Sequence, residues 1–182
     1  MLFFKMEDEK KFLLNVVMTL TLSGALSTRN NKYPIYKSGV KHRERSLIKD
    51  KLRKYLEDIY KKYEKNSVSE PELFTLIEQL SKNLTDENKE VLHNDCFRIG
   101  ISQKIINLFF KYLWTLGWIS EPPHCPFDAV IKNKLSNAGL MNWTMLNDLG
   151  EYKKYVALAS EAADKEGLTI AKWELKYWNS TE

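Results

Sequence analysis

The segment from Gln103 to Trp118 is apolar on most of its sides when it is arranged as an α-helix. Such a helix must lie at the centre of a domain, because it has no wide polar face to present to water. Other elements of the chain therefore have to surround it. With only seven glycines and five prolines in 182 residues, the chain has too few turn residues for a β-sandwich or barrel. The surrounding elements are expected to be helices.

Apolar residues recur with helical spacing through most of the remaining chain. This pattern predicts an all-α fold of about eight helices in a single domain, residues 1–182. Several predicted helices begin at polar residues that can cap them; these residues are Ser46, Ser69, Thr85, Thr144 and Thr169. Residues 23–45 form the one long stretch without helical spacing. We expect an irregular loop there, with a small hairpin around residues 33–36.

Residues 12–26, FLLNVVMTLTLSGAL, are the one candidate for a membrane span or a targeting signal. They are too few to cross a bilayer, which takes about 20 apolar residues. The acidic residues in the preceding MEDEKK do not suit the positively charged start of a signal peptide. We expect a buried core helix from about residue 10 to residue 22, and no membrane partner.

Cysteine and charge content narrow the function classes. Two cysteines, Cys96 and Cys125, make a disulfide framework unexpected and exclude a four-thiolate metal or iron–sulfur site, and they fit a reducing, cytoplasmic setting. Between residues 32 and 65 there are twelve Lys or Arg and five Asp or Glu. This segment is either a face that binds a polyanion or a solvated helix face with internal ion pairs, such as Lys54 with Asp58.

The polar residues of the apolar segment are not scattered. Lys104, Asn107 and Lys111 have the spacing i, i+3, i+7 and are expected to form one stripe that borders a wet cleft. Lys104 lies in the first predicted turn, where the positive end of the helix and incomplete solvation both disfavour a protonated amine. This makes Lys104 a candidate nucleophile. The alternative is a lysine whose stem packs while its ammonium group reaches water.

Residues 99–102, IGIS, separate a short predicted helix from the apolar one, which is a helix-hairpin-helix pattern. A glycine at position 100 permits a tight turn with positive φ. The turn and the helix start after it would then present backbone N–H groups to a DNA phosphate; the residues concerned are Gly100, Ile101, Ser102 and Gln103. Asp128 begins the next predicted helix. It is either a simple N-cap or, if that helix folds back, a carboxylate that shares a cleft with Lys104.

IGISQK followed by CPFD resembles the corresponding segments of the helix-hairpin-helix DNA glycosylases, and most closely their 8-oxoguanine glycosylase branch, which has no iron–sulfur cluster. In that branch a Gly-x-Gly hairpin is followed two residues later by a catalytic lysine, and a Pro-x-Asp motif follows the next helix. On this match Gly100 is the first hairpin glycine, Lys104 the lysine and Asp128 the aspartate. Ser102 stands where the second glycine is usual. The match covers residues 92–135.

The resemblance implies a bifunctional DNA glycosylase and AP lyase, which excises a damaged purine such as 8-oxoguanine from double-stranded DNA through a lysine Schiff base. It implies a monomer without a cofactor or metal. Glu174 and Trp178, together with Leu108, would hold the flipped base, although a core role is the alternative for the tryptophan. The domain would comprise N-terminal helices and a basic loop (1–85), a hairpin and catalytic segment (86–137), and C-terminal helices (138–182). The alternative function is a non-catalytic DNA-binding or protein-interaction module.

Overall fold

A computed structural model describes residues 2–27, 33–135 and 139–180. In these residues the chain forms seven α-helices and no strand, which confirms the predicted all-α class. The helices are α1 (Leu2–Leu26), α2 (His42–Tyr63), α3 (Glu70–Asn88), α4 (Ile99–Thr115), α5 (Ala129–Lys134), α6 (Leu149–Asp164) and α7 (Ile170–Asn179). Two 3-10 turns lie at His93–Asp95 and Trp143–Met145.

Helix α4 is the central helix, as its apolar sequence predicts. It packs against α1 and α3 and also contacts α6 and the Trp143–Met145 turn. Its largest apolar side chains are completely buried; they are Ile105, Ile106, Phe109, Phe110 and Leu113. The helix begins at Ile99 rather than at Gln103, because Arg98 is extended and its buried guanidinium donates to the carbonyls of Tyr33 and Pro34.

Two predicted caps are confirmed. Ser69 accepts the N–H of Glu72, and the Glu72 carboxylate accepts the N–H of Ser69, so that a capping box starts α3. Thr169 accepts the N–H of Lys172 at the start of α7. These caps use only residues within three positions of each other, and local sequence is therefore sufficient to find them.

Three other predicted starts are wrong. Helix α2 begins before Ser46, since Glu44 accepts the Lys41 N–H at 2.8 Å and closes an earlier first turn. Thr85 starts no new helix, because α3 continues to Asn88. Thr144 lies in a 3-10 turn, and Asp148 caps α6 instead by accepting the N–H of Glu151.

The irregular segment is shorter than predicted, since α1 extends to Leu26 and α2 begins at His42; residues 28–32 lie outside the described residues. The hairpin predicted around residues 33–36 is wrong. This stretch pairs with a distant one, because Lys37 N–H donates to the Val91 carbonyl at 2.9 Å and His93 N–H donates to the Ile35 carbonyl at 3.0 Å. Ile35 and Leu92 are both buried, so burial of these two side chains favours the long-range pairing.

Helix α1 covers the predicted core helix of residues 10–22 and turns one face towards α4. Val17, Met18 and Leu22 are buried on that face, whereas Phe12 and Leu20 are exposed. No helix in the part of the chain that the structure describes is long and apolar enough to cross a membrane.

The basic segment of residues 32–65 carries ion pairs on an exposed helix face. The pairs are Lys37–Asp95, Lys51–Glu87, Lys61–Asp58 and Lys62–Glu72. Asp58 thus pairs with Lys61 and not with Lys54, as predicted. Exposed pairs of this kind contribute about 0–1 kcal/mol each. They account for four of the cations, while others, such as Arg43 and Lys49, are exposed on α2.

Candidate active site

A cleft of about 700 Å³ lies beside α4. Its walls are formed by α4, the end of α1, the residues around the start of α5, the Trp143 turn and α7. All five side chains predicted for catalysis or base binding line it; they are Lys104, Leu108, Asp128, Glu174 and Trp178. The structure therefore brings together residues from three separate parts of the sequence.

Lys104 and Asp128 contact each other in this cleft. The Nζ atom of Lys104 lies 3.5 Å from Oδ2 of Asp128, and the two side chains are only 13% and 17% exposed. On another side, Lys104 Nζ lies 4.5 Å from the centroid of the Trp143 ring. The amine is thus held between a carboxylate and the face of an indole, both of which stabilise positive charge.

The two oxygens of Asp128 have different partners. Oδ1 accepts the N–H groups of Val130 at 2.9 Å and of Ile131 at 3.2 Å, which makes Asp128 the N-cap of α5. Oδ2 is directed towards Lys104. Both sequence interpretations of Asp128, the cap and the partner of Lys104, therefore hold at once.

A second amine–carboxylate pair lies farther along the same helix. Lys111 Nζ lies 2.9 Å and 2.8 Å from the two carboxylate oxygens of Glu174, and the centroid of the Trp178 ring is 4.8 Å from this ammonium group. Burial raises the pKa of Glu174 above its usual value, and Lys111 acts in the opposite direction. Sequence analysis placed Glu174 and Trp178 on one face of a helix but did not identify Lys111 as their partner.

The polar stripe predicted on α4 differs from the one that forms. Asn107 does not face the cleft: its side chain is buried and donates to Gln103 Oε1 at 3.2 Å and to the Tyr152 hydroxyl at 3.0 Å. The cleft is bordered instead by Lys104, Leu108 and Lys111. The i, i+4, i+7 row faces the cleft, and the i+3 position turns into the protein.

The prediction that residues 100–103 bind phosphate is wrong, because α4 already includes them. The N–H of Gly100 donates to the Leu146 carbonyl, and those of Ile101 and Ser102 donate to the Arg98 carbonyl. The side chains of Ile101, Ser102 and Gln103 are buried as well. Positive φ values precede the helix at Asn94 and Asp95, at 54° and 55°, and Gly100 is not in that region.

Gly100 is needed for a close approach within the protein. A Cβ atom at this position would lie 1.7 Å from the carbonyl oxygen of Trp143. The absence of a side chain lets the Trp143 backbone pack directly on the first turn of α4. This contact brings the Trp143 ring next to Lys104. The glycine does permit a backbone to approach, but the backbone belongs to the protein and not to DNA.

Gln103 joins α4 to the residue before Asp128. Its Nε2 donates to the Phe127 carbonyl at 2.7 Å and to the Gly100 carbonyl at 3.1 Å, and its Oε1 accepts the Phe127 N–H at 3.2 Å. Sequence analysis missed this role. The only available signal was a glutamine next to the candidate lysine on a buried helix.

His124 is buried behind the cleft and has two partners. Its Nδ1 lies 2.9 Å from the Tyr152 hydroxyl, and its Nε2 lies 3.0 Å from Glu70 Oε1. Burial lowers the pKa of His124, against the opposing effect of Glu70. Burial also raises the pKa of Tyr152, whose hydroxyl therefore stays protonated and available as a donor.

Within the described residues, no group of three or more His, Cys, Asp or Glu side chains is arranged to hold a metal ion. Cys96 and Cys125 are free thiols, and burial raises the pKa of Cys125. The chemistry of this cleft is therefore argued from its amines, carboxylates and indoles.

No family model, curated protein or solved structure matches this chain. The resemblance to the helix-hairpin-helix DNA glycosylases rests on the motif residues alone, and the function is argued from the geometry of the cleft.

Proposed function

We propose that this protein is a DNA glycosylase with AP lyase activity, which releases a damaged purine such as 8-oxoguanine through a Schiff base on Lys104. The observation that carries the proposal is the 3.5 Å contact between Lys104 Nζ and Asp128 Oδ2 inside a cleft. A shielded amine beside a carboxylate is the arrangement that nucleophilic catalysis by lysine requires.

The cleft suits a flipped nucleobase in size and in chemistry. Its volume of about 700 Å³ is within the range of roughly 300–1,000 Å³ that is typical of small-molecule sites. Trp143 and Trp178 supply aromatic faces, and Glu174 and Lys111 supply an acceptor and a donor. Enzymes that act on an extruded base hold it by stacking and by hydrogen bonds to its edge.

Lys104 and Asp128 have distinct roles in the proposed reaction. Asp128 Oδ2 accepts a proton from the Lys104 ammonium group, and the neutral amine attacks C1′ of the deoxyribose. The bond from C1′ to the base nitrogen breaks, and its electron pair leaves with the base, which takes up a proton. The carboxylate also stabilises the positive charge that develops on the sugar.

The AP lyase step follows from the covalent intermediate. The C1′–O4′ bond opens as the lysine nitrogen forms the C=N bond, and O4′ takes up a proton. The resulting protonated Schiff base makes the C2′ proton acidic. Removal of that proton expels the 3′ phosphate by β-elimination and cuts the strand.

Borohydride trapping tests this proposal. The protein is incubated with a duplex that contains 8-oxoguanine in the presence of the reductant, and a covalent protein–DNA adduct is sought on a denaturing gel. The wild-type protein is expected to give the adduct. Lys104→Gln is expected to abolish it while leaving the Kd for DNA nearly unchanged. Lys153→Gln, which alters an exposed lysine outside the cleft, is the matched control and should trap normally.

The same experiment distinguishes the alternative functions. Salt-dependent DNA binding without any adduct would identify a binding module in which Lys104 contacts DNA without chemistry. No binding at low salt would identify a helical protein-interaction domain. An adduct of undiminished yield with Lys104→Gln would exclude Lys104 as the nucleophile.

A further inference from the structure

One side chain links the two halves of the candidate catalytic pair. Gln103 directly precedes Lys104, and Phe127 directly precedes Asp128. The side-chain amide of Gln103 bonds to both the N–H and the carbonyl of Phe127, at 3.2 Å and 2.7 Å. Gln103 and Phe127 are completely buried. Water therefore does not compete for these two hydrogen bonds.

The position of Asp128 depends on two different contacts. Its N-cap bonds to Val130 and Ile131 fix the carboxylate relative to α5. They do not fix α5 relative to α4, which carries Lys104. The two bonds from Gln103 to Phe127 supply that second constraint. The ring of Phe127 also packs on Tyr155 of α6, so the fold of this segment does not depend on Gln103 alone.

The orientation of the Gln103 amide is determined by a chain of hydrogen bonds behind it. Its Oε1 accepts from Asn107 Nδ2, which also donates to the Tyr152 hydroxyl. That hydroxyl donates its proton to His124 Nδ1, and His124 Nε2 donates to Glu70. A flipped amide would place its NH₂ group against two donors, Asn107 Nδ2 and Phe127 N–H. Only one orientation satisfies every group.

We propose that Gln103 is a positioning residue, which sets the distance between Lys104 Nζ and Asp128 Oδ2 by holding the backbone of Phe127. The inference rests on the proposed function of the Lys104–Asp128 pair, and it replaces the phosphate-binding role predicted for Gln103. A displacement of about 1 Å between reacting groups can reduce a rate about a hundredfold. The clamp therefore matters for rate and not for affinity.

The first test needs no DNA. An amine-reactive probe labels Lys104 at a rate that follows the neutral fraction of the amine, and mass spectrometry measures this rate at several pH values. Asp128→Asn removes the neighbouring negative charge and is expected to raise labelling near pH 8 by about tenfold. Gln103→Met keeps the length of the side chain but loses both bonds to Phe127. It is expected to raise labelling towards the Asp128→Asn value.

Ser81→Ala is the matched control. It removes another buried hydrogen bond, from Ser81 Oγ to the Phe97 carbonyl at 2.6 Å, and should leave Lys104 labelling unchanged. If Gln103→Met does not fold, Gln103→Glu retains the acceptor for Phe127 N–H and loses only the donor to its carbonyl. It should give an intermediate rate. Wild-type labelling in the folded Gln103 variant overturns the inference, and so does equal labelling of wild type and Asp128→Asn.

The second test uses the trapping reaction under single-turnover conditions. Gln103→Met is expected to slow adduct formation about 10- to 100-fold without changing the Kd for DNA. A phosphate-binding role would instead raise the Kd. If the wild-type protein forms no adduct, the proposed function fails, and the labelling experiment still decides whether Gln103 positions Asp128.

Discussion

Lys111 and Glu174 form a buried ion pair that joins α4 to α7 across the cleft. The ammonium nitrogen lies 2.8 Å from Glu174 Oε2, and only 10% and 3% of the two side chains are exposed. Desolvating two charges costs several kcal/mol each, and an apolar pair of similar volume often stabilises a fold at least as well. Such a pair beside a cleft is therefore better explained by binding than by stability.

Breaking this pair on one side should be costly, whereas replacing both partners should not. Lys111→Met leaves the Glu174 carboxylate buried without its cation, and we expect the free energy of unfolding to fall by about 3–5 kcal/mol near neutral pH. Lys111→Met combined with Glu174→Leu should recover most of that loss. Urea denaturation of the three proteins measures both effects. A double variant as unstable as Lys111→Met would show that the pair itself supports the fold.

The pH dependence of stability should report on Glu174 in the Lys111→Met variant. Burial raises the folded-state pKa of Glu174, and a raised pKa means that the folded state binds the proton more tightly than the unfolded state. The resulting stabilisation is complete below the unfolded pKa of about 4.3 and is lost as the pH rises through the folded pKa. Without Lys111 this pKa rises further. Lys111→Met should therefore lose more stability than the wild type between pH 5 and pH 8.

Lys111→Met combined with Glu174→Gln is the control for that experiment, because it has no carboxyl group to titrate at position 174. Its stability should fall less between pH 5 and pH 8 than that of Lys111→Met. Parallel pH curves for these two variants would contradict the assignment of the effect to Glu174.

Gly100→Ala should disrupt the wall of the cleft that holds Trp143. The new methyl group would lie 1.7 Å from the Trp143 carbonyl oxygen, so the backbone has to move. We expect a loss of about 1–3 kcal/mol or more, as for other overpacked sites, measured by thermal or urea unfolding. Gly24→Ala is the matched control, since its Cβ would meet only the terminal methyl group of Leu108, at 3.3 Å. Equal effects of the two variants would contradict a special requirement at position 100.

Sequence was sufficient where the controlling contacts are local. The all-α class follows from the apolar surface of α4, and the caps Ser69 and Thr169 bond to residues three positions away. Sequence was insufficient where the partner is distant. Gly100 is required by Trp143, 43 residues later, and nothing near position 100 indicates this. The pairing of Lys104 with Asp128 was predicted only as one of two open possibilities, because it depends on how α5 folds back.

His124 should make the protein less stable in mild acid. Burial lowers the folded-state pKa of this imidazole, so the unfolded state takes up the proton first as the pH falls below the usual value of about 6.5. The stabilisation is present above that pH and is lost as the pH falls through the folded pKa. His124→Asn retains polar atoms near Tyr152 but does not titrate, and its stability should fall less than that of the wild type between pH 7.5 and pH 5. His42→Asn, at an exposed position, should leave the wild-type curve unchanged.

Asp128→Asn should separate the two roles of Asp128. Asn is as good an N-cap as Asp, so the bonds to Val130 and Ile131 can be retained and the free energy of unfolding should change by less than about 1 kcal/mol. The variant lacks the negative charge that receives the Lys104 proton and stabilises the sugar cation. Base release in a single-turnover glycosylase assay should therefore fall about 10²- to 10⁴-fold. A stable Asp128→Asn protein that releases the base at the wild-type rate would leave Asp128 as a helix cap alone.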